Sequence, residues 1–523
     1  MRAILRPFLA ISVLCFLIFP LVIGVRPIYS HQVQQASVTV QVDGADRHQS
    51  IDGFGVNANS ASWDNGALAP AIDQLISPGG TTIWRVIVET HENWETTNDN
   101  DDPNSYNWTY YNVLYETEKF RDLWGLLAYL DQKQAPVIYL NVMGCLPEWM
   151  GRCNPPESMD DEWVELISSL VYYAHNTKGL RIDLLSPMNE QDAGNPEGPR
   201  IEPARYVGML KKLATRLDAL GINNTGFVGP ETADIYRANT EYVPAMLNDA
   251  ALMPRVRHFA VHNYGGSAGG IGSVIAASAY PDRTFWLSEF SAWCPGCDSG
   301  TQPDNDWNFA TGTFDNLLST LYGGASGALV YDAYDSFYEH HESFGYWGLL
   351  RYNAASNTYS PQKRFYTMAQ AFRYIQRGMT LLETSSTNGS LNARGFASQD
   401  GTRFTLVGRN ASDEAVQLTV QLAHLAVSGP LALYDTTQSG NLQQGPDVPG
   451  SGSTYTVTIA PNSVFTLTNV TPTDPTDPTD PTDPTDPTDP TNPVLTNKLY
   501  LPLLPSVGDN TTALRASSIV RKG

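Results

Sequence analysis

Between residues 50 and 375 one pattern recurs, and it limits the fold more than anything else in the chain. A short apolar, β-branched run is followed by a longer amphipathic segment. The apolar runs fall at residues 51–57, 83–88, 137–142, 182–187, 226–230, 258–263, 284–290 and 327–332. The intervening segments carry helical periodicity. Residues 161–175 place Trp163, Ile167, Leu170 and Val171 on one face. Residues 204–220 do the same, and Gly221 is a natural stop. Eight strands alternating with helices predict an α/β fold, a (β/α)8 TIM barrel over residues 45–380, rather than a doubly wound sheet. No Gly-rich phosphate loop follows the first strand, which argues against a dinucleotide fold.

After the barrel the pattern changes. Short alternating runs at residues 404–407, 416–422, 455–459 and 464–467 are separated by Gly, Ser, Asp and Pro. They predict an accessory antiparallel β-sandwich over residues 388–470. Residues 38–42 also alternate, so the segment 36–44 is expected to add an edge strand to that sandwich. The composition fits folded units throughout, with 42% hydrophobic and only 16% charged residues. The formal charge of −22 argues against a general nucleic-acid binder and against electrostatic attachment to anionic lipid.

The two ends read differently. Residues 1–30 resemble an export signal, with Arg2 and Arg6 ahead of an apolar run from Phe8 to Val25. An uncleaved anchor is the alternative, although Pro20 and Ser30 lean toward cleavage. At the other end, residues 471–493 carry an Asp-Pro-Thr repeat. Pro at every third position forbids helix and favours an extended spacer. The tail 494–523 holds a short apolar patch from Leu499 to Pro505 and a basic end at Arg521 and Lys522. It reads either as a disordered tail or as a tag for export or surface attachment. The expected location is therefore secreted or held at the cell surface.

Without the signal, four cysteines remain: Cys145, Cys153, Cys294 and Cys297. An even number in an exported chain reads as disulfides, and two short local loops are the simplest of the three pairings. The Cys294-Pro-Gly-Cys297 spacing also invites a thiol-redox or zinc reading. It lacks the small βαβ context of a redox domain.

In a barrel of this kind the active site forms where strands end. The fourth run ends in Ser186-Pro187-Met188-Asn189-Glu190, and the seventh in Ser288-Glu289-Phe290. Each puts a Glu at a strand terminus, and the two termini face each other across the barrel mouth. Two carboxyls about 5–5.5 Å apart are what retaining glycoside hydrolysis requires, one as nucleophile and one as acid/base. No metal and no redox cofactor is called for. The bland reading is that both are ordinary loop acids.

Four short motifs in order carry a resemblance. They are Ile51-Asp52-Gly53-Phe54-Gly55, Leu146-Pro147-Glu148-Trp149-Met150, Met188-Asn189-Glu190 and Ser288-Glu289. The chain resembles the clan of (β/α)8 retaining glycosidases, nearest glycoside hydrolase family 30 and its relatives, over about residues 38–470. The resemblance implies a barrel with a side β-sandwich. It implies Glu190 as acid/base, Glu289 as nucleophile and Asn189 on the sugar 2-hydroxyl. It also implies that Tyr264 orients Glu289, that Arg85 holds it charged, and that Trp149 belongs to the substrate-binding set. His262 is either a pocket residue or a structural histidine.

The clan commonly ends its eighth strand with a Trp, whereas this chain reads Leu329-Val330-Tyr331-Asp332. The platform under the sugar is then Tyr331, Tyr334 or Trp347, or it is altered. The loop after the second strand carries Trp94, Tyr106, Trp108, Tyr110 and Tyr111. Trp94 is the better subsite candidate among them, against packing of the loop on the barrel. Asp99, Asp101 and Asp102 lack an EF-hand pattern and read as a solvated loop. The expected activity is double-displacement hydrolysis of a β-linked polysaccharide or oligosaccharide, of glucan, xylan or galactan type. The rival from another class is a non-catalytic carbohydrate-binding or adhesion protein on the same barrel.

Overall fold

The computed structural model describes residues 36–90, 94–265, 270–303 and 306–472. The segment expected to be an export signal, most of the repeat linker and the C-terminal tail lie outside the described residues. Strand β1 (Ala36–Ser50) comes first. The eight apolar runs then become β2 (Gly53–Asn59), β3 (Ile83–Glu89), β4 (Val137–Met143), β5 (Leu184–Ser186), β6 (Gly226–Asp234), β7 (Val256–Gly265), β8 (Thr284–Phe290) and β9 (Gly327–Val330). All neighbours pair in parallel, and β9 returns to β2 to close the barrel.

The two segments with helical periodicity are helices, and the apolar residues read on their faces are buried. The helix Asp160–Tyr172 buries Trp163, Ile167 and Leu170. The helix Pro203–Ala219 starts on its proline and ends before Gly221, whose φ of 76° suits a residue without a Cβ. Two hairpins follow the last barrel strand: β10 (Ser336–Tyr338) with β11 (Ser343–Gly345), and β12 (Leu350–Asn353) with β13 (Thr358–Pro361).

The remaining strands are β14 (Thr380–Ser386), β15 (Leu391–Ala397), β16 (Phe404–Asn410), β17 (Val416–Ala423), β18 (Ala432–Thr436), β19 (Gln443–Gln444), β20 (Gly450–Ser451), β21 (Thr454–Ile459) and β22 (Ser463–Thr468). With β1 they form one ten-stranded sheet in the order β19-β18-β22-β16-β15-β14-β1-β17-β21-β20. Leu433 from one end and Tyr455 from the other share a single buried cluster, so the sheet folds over itself like a sandwich. β1 is not an edge strand. It pairs antiparallel with β14 and parallel with β17. Its alternation puts Val38, Val40 and Val42 into the sandwich core.

Barrel and sheet share apolar packing. Phe396, Val407 and Val464 of the sheet belong to the main barrel cluster, beside Phe365 and Met368 of the helix Lys363–Phe372. Two disulfides close short loops, Cys145–Cys153 and Cys294–Cys297. The CxxC is thus a disulfide of the β8 loop. Among the described residues, no helix is long and apolar enough to cross a membrane.

Candidate active site at the barrel mouth

The interior of the barrel is built in steps of two residues, because successive side chains of a strand alternate between its faces. The lowest layer is apolar: Ile83, Tyr139, Leu184, Ala260, Trp286 and Leu329 pack together. Two residues further along most of these strands stand Arg85, Asn141, Ser186, His262 and Ser288, all fully buried. Another step reaches Ile87, Met143 and Tyr264, and Tyr331 follows Leu329 of the last barrel strand by two residues. Three of these border the cavity at the mouth, and Ile87 packs directly beneath it.

Strict alternation would turn Glu289 outward, because Ser288 points in. The strand register is irregular here: His262 of β7 pairs with Glu289, and the β8–β9 register shifts between Leu287 and Phe290. Both Ser288 and Glu289 therefore reach the interior, a common use of a bulge beside a functional site. Ser288 donates to Glu231 Oε2 at 2.9 Å. Glu289 accepts from Arg85 Nη1 at 2.5 Å and from the Tyr264 hydroxyl at 3.1 Å.

Glu190 lies just past β5 with φ 39°, and Glu231 on β6 has φ 60°. Left-handed backbone at a non-glycine residue is strained and collects at functional sites. The Glu190 N–H donates to the Glu231 carbonyl at 2.9 Å, which ties the two turns together. Gly198 crosses so close above that a Cβ there would stand 1.8 Å from the Asn189 carbonyl oxygen. Only glycine fits.

Five ionisable groups then meet in one buried network. Arg85 Nη2 lies 2.9 Å from Glu231 Oε2. His262 bridges Glu190 (Nδ1, 2.7 Å) and Glu231 (Nε2, 2.9 Å). A histidine donating from both nitrogens is an imidazolium. Burial alone would strip its charge, but Glu289, Glu190 and Glu231 outweigh burial and raise its pKa to about 10. Burial would likewise raise Glu231. Arg85, then His262 and the Tyr139 hydroxyl, overcome that and bring it down to about 2. Arg85 and His262 thus balance Glu231 and Glu289, and Glu190 is the carboxyl left over. Burial pushes it up to about 7, against the opposing pull of His262 and with a further push from Glu289 and Glu197.

One oxygen each of Glu190 and Glu289 and a ring nitrogen of His262 lie within 4.8 Å of one another. The two carboxyls face a cavity of about 430 Å³. Tyr264, Tyr331, Trp293 and Trp347 supply its aromatic lining, with Glu197 and His341 at one side. Trp293 is 84% exposed and sits on the Cys294–Cys297 loop.

The residues picked from sequence fall into three groups. Glu190, Glu289, Tyr264 and Tyr331 line the cavity. Arg85, Asn189 and His262 lie just beneath it. Arg85 Nη2 donates to Asn189 Oδ1 at 2.7 Å, and Arg85 and His262 are fully buried against Glu289 and Glu190 rather than in the cavity lining. Trp94 and Trp149 stand elsewhere. Trp94 is fully buried edge-on against Phe120, and this corrects its reading as a sugar subsite. Trp149 donates to the Glu95 carbonyl at 2.9 Å and packs on the barrel core, outside the cavity lining. The loop aromatics pack as well, with Trp108 against Tyr172 and Tyr111 stacked on Tyr115. Of the platform candidates, Tyr331 and Trp347 reach the cavity, whereas Tyr334 is buried and donates to the Asn59 carbonyl. Glu231 and Trp293 were not picked out by the sequence.

No protein-family model matches the chain, and no curated protein does. Solved structures do match. A glycoside hydrolase family 30 subfamily 8 xylanase from Clostridium acetobutylicum superposes with TM-score 0.61 at 16% identity, over 82% of this chain and 99% of that one. The catalytic domain of a family 30 xylanase C from Talaromyces cellulolyticus gives 0.62 at 15%, over 83% and 100%. An endo-β1,6-glucanase gives 0.59 at 16%, over 82% and 93%. At such identities the likeness is one of fold, and it is the fold the sequence motifs resemble.

Proposed function

We propose that the chain is an exported retaining β-glycosidase acting on a β-linked polysaccharide or oligosaccharide. One observation carries this reading. Two carboxyls from opposite sides of the barrel mouth bring one oxygen each within 4.8 Å across an aromatic-lined cavity, in unlike surroundings. Glu190, buried and raised to about 7, can hold a proton for the leaving oxygen at neutral pH. Glu289 has its oxygens fixed by Arg85 and Tyr264 and faces the anomeric carbon as nucleophile. The spacing fits direct attack. An inverting pair stands about 6.5–9.5 Å apart to admit a water between carboxyl and sugar.

The steps follow from those positions. Glu289 attacks the anomeric carbon while Glu190 gives its proton to the departing oxygen. The covalent intermediate is then hydrolysed by a water that Glu190, now ionised, deprotonates. Asn189 spends one amide N–H on the Glu197 carbonyl at 3.2 Å and keeps the other for the sugar 2-hydroxyl. Tyr331, Trp347 and Trp293 offer faces for sugar C–H surfaces. The relatives in fold named above include xylanases and a β-glucanase, which supports a β-linked glycan as substrate. Two disulfides support an oxidising destination.

The test is hydrolysis of a panel of β-linked polysaccharides and aryl β-glycosides by wild type and Glu289→Ala, with product anomers followed by proton NMR. Retained configuration, lost in the variant, is the expected result. Inverted product, or activity that survives Glu289→Ala, would sink the mechanism.

A further inference from the structure

Beside the acid pair lies a second cluster that the proposed chemistry does not use. Glu197 sits on the turn after Glu190, and His340 and His341 sit on the turn between β10 and β11. His340 Nε2 is 3.2 Å from Glu197 Oε2, and His341 Nε2 is 3.2 Å from Glu197 Oε1. The three ligating atoms all lie within 4.8 Å of one another.

His340 is set up from behind. Its Nδ1 donates to Glu89 Oε2 at 2.6 Å, and Glu89 also accepts the backbone N–H groups of Glu339 and His340 at 3.1 and 3.0 Å. With Nδ1 held by Glu89, Nε2 is the ring atom turned toward Glu197. The His340 side chain is only 2% exposed, and its Nε2 is aligned with no hydrogen-bond partner despite the short distance to Glu197. A buried ring nitrogen aimed at a carboxylate and a second imidazole, with a carboxylate fixing its other nitrogen, is how proteins present histidine to a metal.

The spacing agrees. In a tetrahedral zinc site, bonds of about 2.0–2.1 Å put ligand atoms ~3.3–3.4 Å apart. Each histidine nitrogen stands 3.2 Å from one of the two Glu197 oxygens, and one ligand atom from each of the three residues fits within 4.8 Å. Two imidazoles and one carboxylate favour a transition ion over calcium or magnesium, which prefer all-oxygen sites. Glu197 and His341 line the cavity, so the fourth position opens toward it.

We propose that Glu197, His340 and His341 form a three-ligand site for a divalent transition ion of the zinc class at the edge of the cavity. Glu89 is the positioning residue behind His340. The ion would pin the β10–β11 turn to the turn carrying Glu197, whose carbonyl holds Asn189. This proposal does not rest on the glycosidase reading.

The probe is the metal alone. The full chain, stripped with a chelator, is titrated with zinc chloride by calorimetry and with cobalt(II) by visible absorption. One zinc per chain at micromolar affinity or tighter is expected, with the intense bands of four-coordinate cobalt. Glu89→Gln should weaken binding by about 10–100-fold. His341→Gln, a change at a partly exposed side chain, should weaken it at least as much while circular dichroism stays that of wild type. Glu190→Gln should leave affinity within a few-fold. Three results would each overturn the proposal: no zinc binding at micromolar concentration, binding undiminished in His341→Gln, or binding lost in Glu190→Gln. The last would place the ion on the acid pair instead.

Discussion

At the scale of single residues, the division of labour proposed for Glu190 and Glu289 follows from what surrounds each. On the proposed mechanism, Glu190→Gln removes the proton donor and leaves the nucleophile. Activity on glycans with poor leaving groups should fall about 10²–10⁴-fold. On aryl glycosides with acidic leaving groups it should fall far less, because those depart unprotonated. Equal losses on both classes would mean that Glu190 is not the acid. His262 makes a sharper test through pH. Its charge lowers the Glu190 pKa, so the wild-type kcat/KM should decline as pH rises through about 7. His262→Asn deletes that charge, the Glu190 proton is held to higher pH, and the alkaline limb should move upward. A limb that stays put or moves down would refute the coupling. Glu190 and Glu289 were legible because each ends an apolar run, as was Arg85 inside one. Glu231 was not. It lies mid-strand, and only the register shift between Pro230 and Thr232 turns it inward. Trp94 was misread because aromatic faces that bind sugars and those that pack loops look alike in sequence.

At the scale of elements, the periodicities were easiest to read and the junctions hardest. All eight apolar runs became barrel strands, since burial on an interior face demands that pattern wherever it occurs. The hairpins β10–β11 and β12–β13 are too short to show a period, yet the first supplies His340 and His341. The helix Asp160–Tyr172 shows another feature that periodicity hides. Glu165 is buried at 1% exposure with neither carboxylate oxygen hydrogen-bonded. Burial, then the charges of Asp99, Glu95 and Glu162, raises its pKa from 4.5 to about 8. Below pH 4.5 Glu165 is protonated in both folded and unfolded chains and contributes nothing to the pH dependence. As pH rises toward 8 the unfolded chain ionises first, so folding loses stability across that window. Glu165→Gln removes the loss. Its melting temperature should exceed that of wild type by more at pH 9 than at pH 5. A gain independent of pH, or a loss at pH 9, would contradict the assignment.

At the scale of the whole molecule, chain order ties the two folded layers together. The sequence reading placed residues 38–42 at an edge, because alternation shows which face is buried and not which strands lie on either side. In the structure β1 lies between β14 and β17, partners from the far end of the described chain, and leads directly into β2. Long-range pairing of this kind leaves no local signal. Its consequence is energetic. The sheet cannot complete its core until β1 is delivered, and Phe396, Val407 and Val464 cannot be buried until the barrel helices stand. Independent units of such size commonly melt apart. Here the shared cluster and the shared strand predict one cooperative calorimetric transition. Val40 is fully buried in register with Val420, so Val40→Ala should cost about 2–3 kcal/mol from lost burial and the cavity left behind. The single transition should move down in temperature without dividing, and the proposed glycosidase activity should be lost along the same curve although Val40 lies in the sheet. If the variant instead shows an early sheet transition followed by an unshifted barrel transition that retains activity, β1 decorates the barrel and does not brace it.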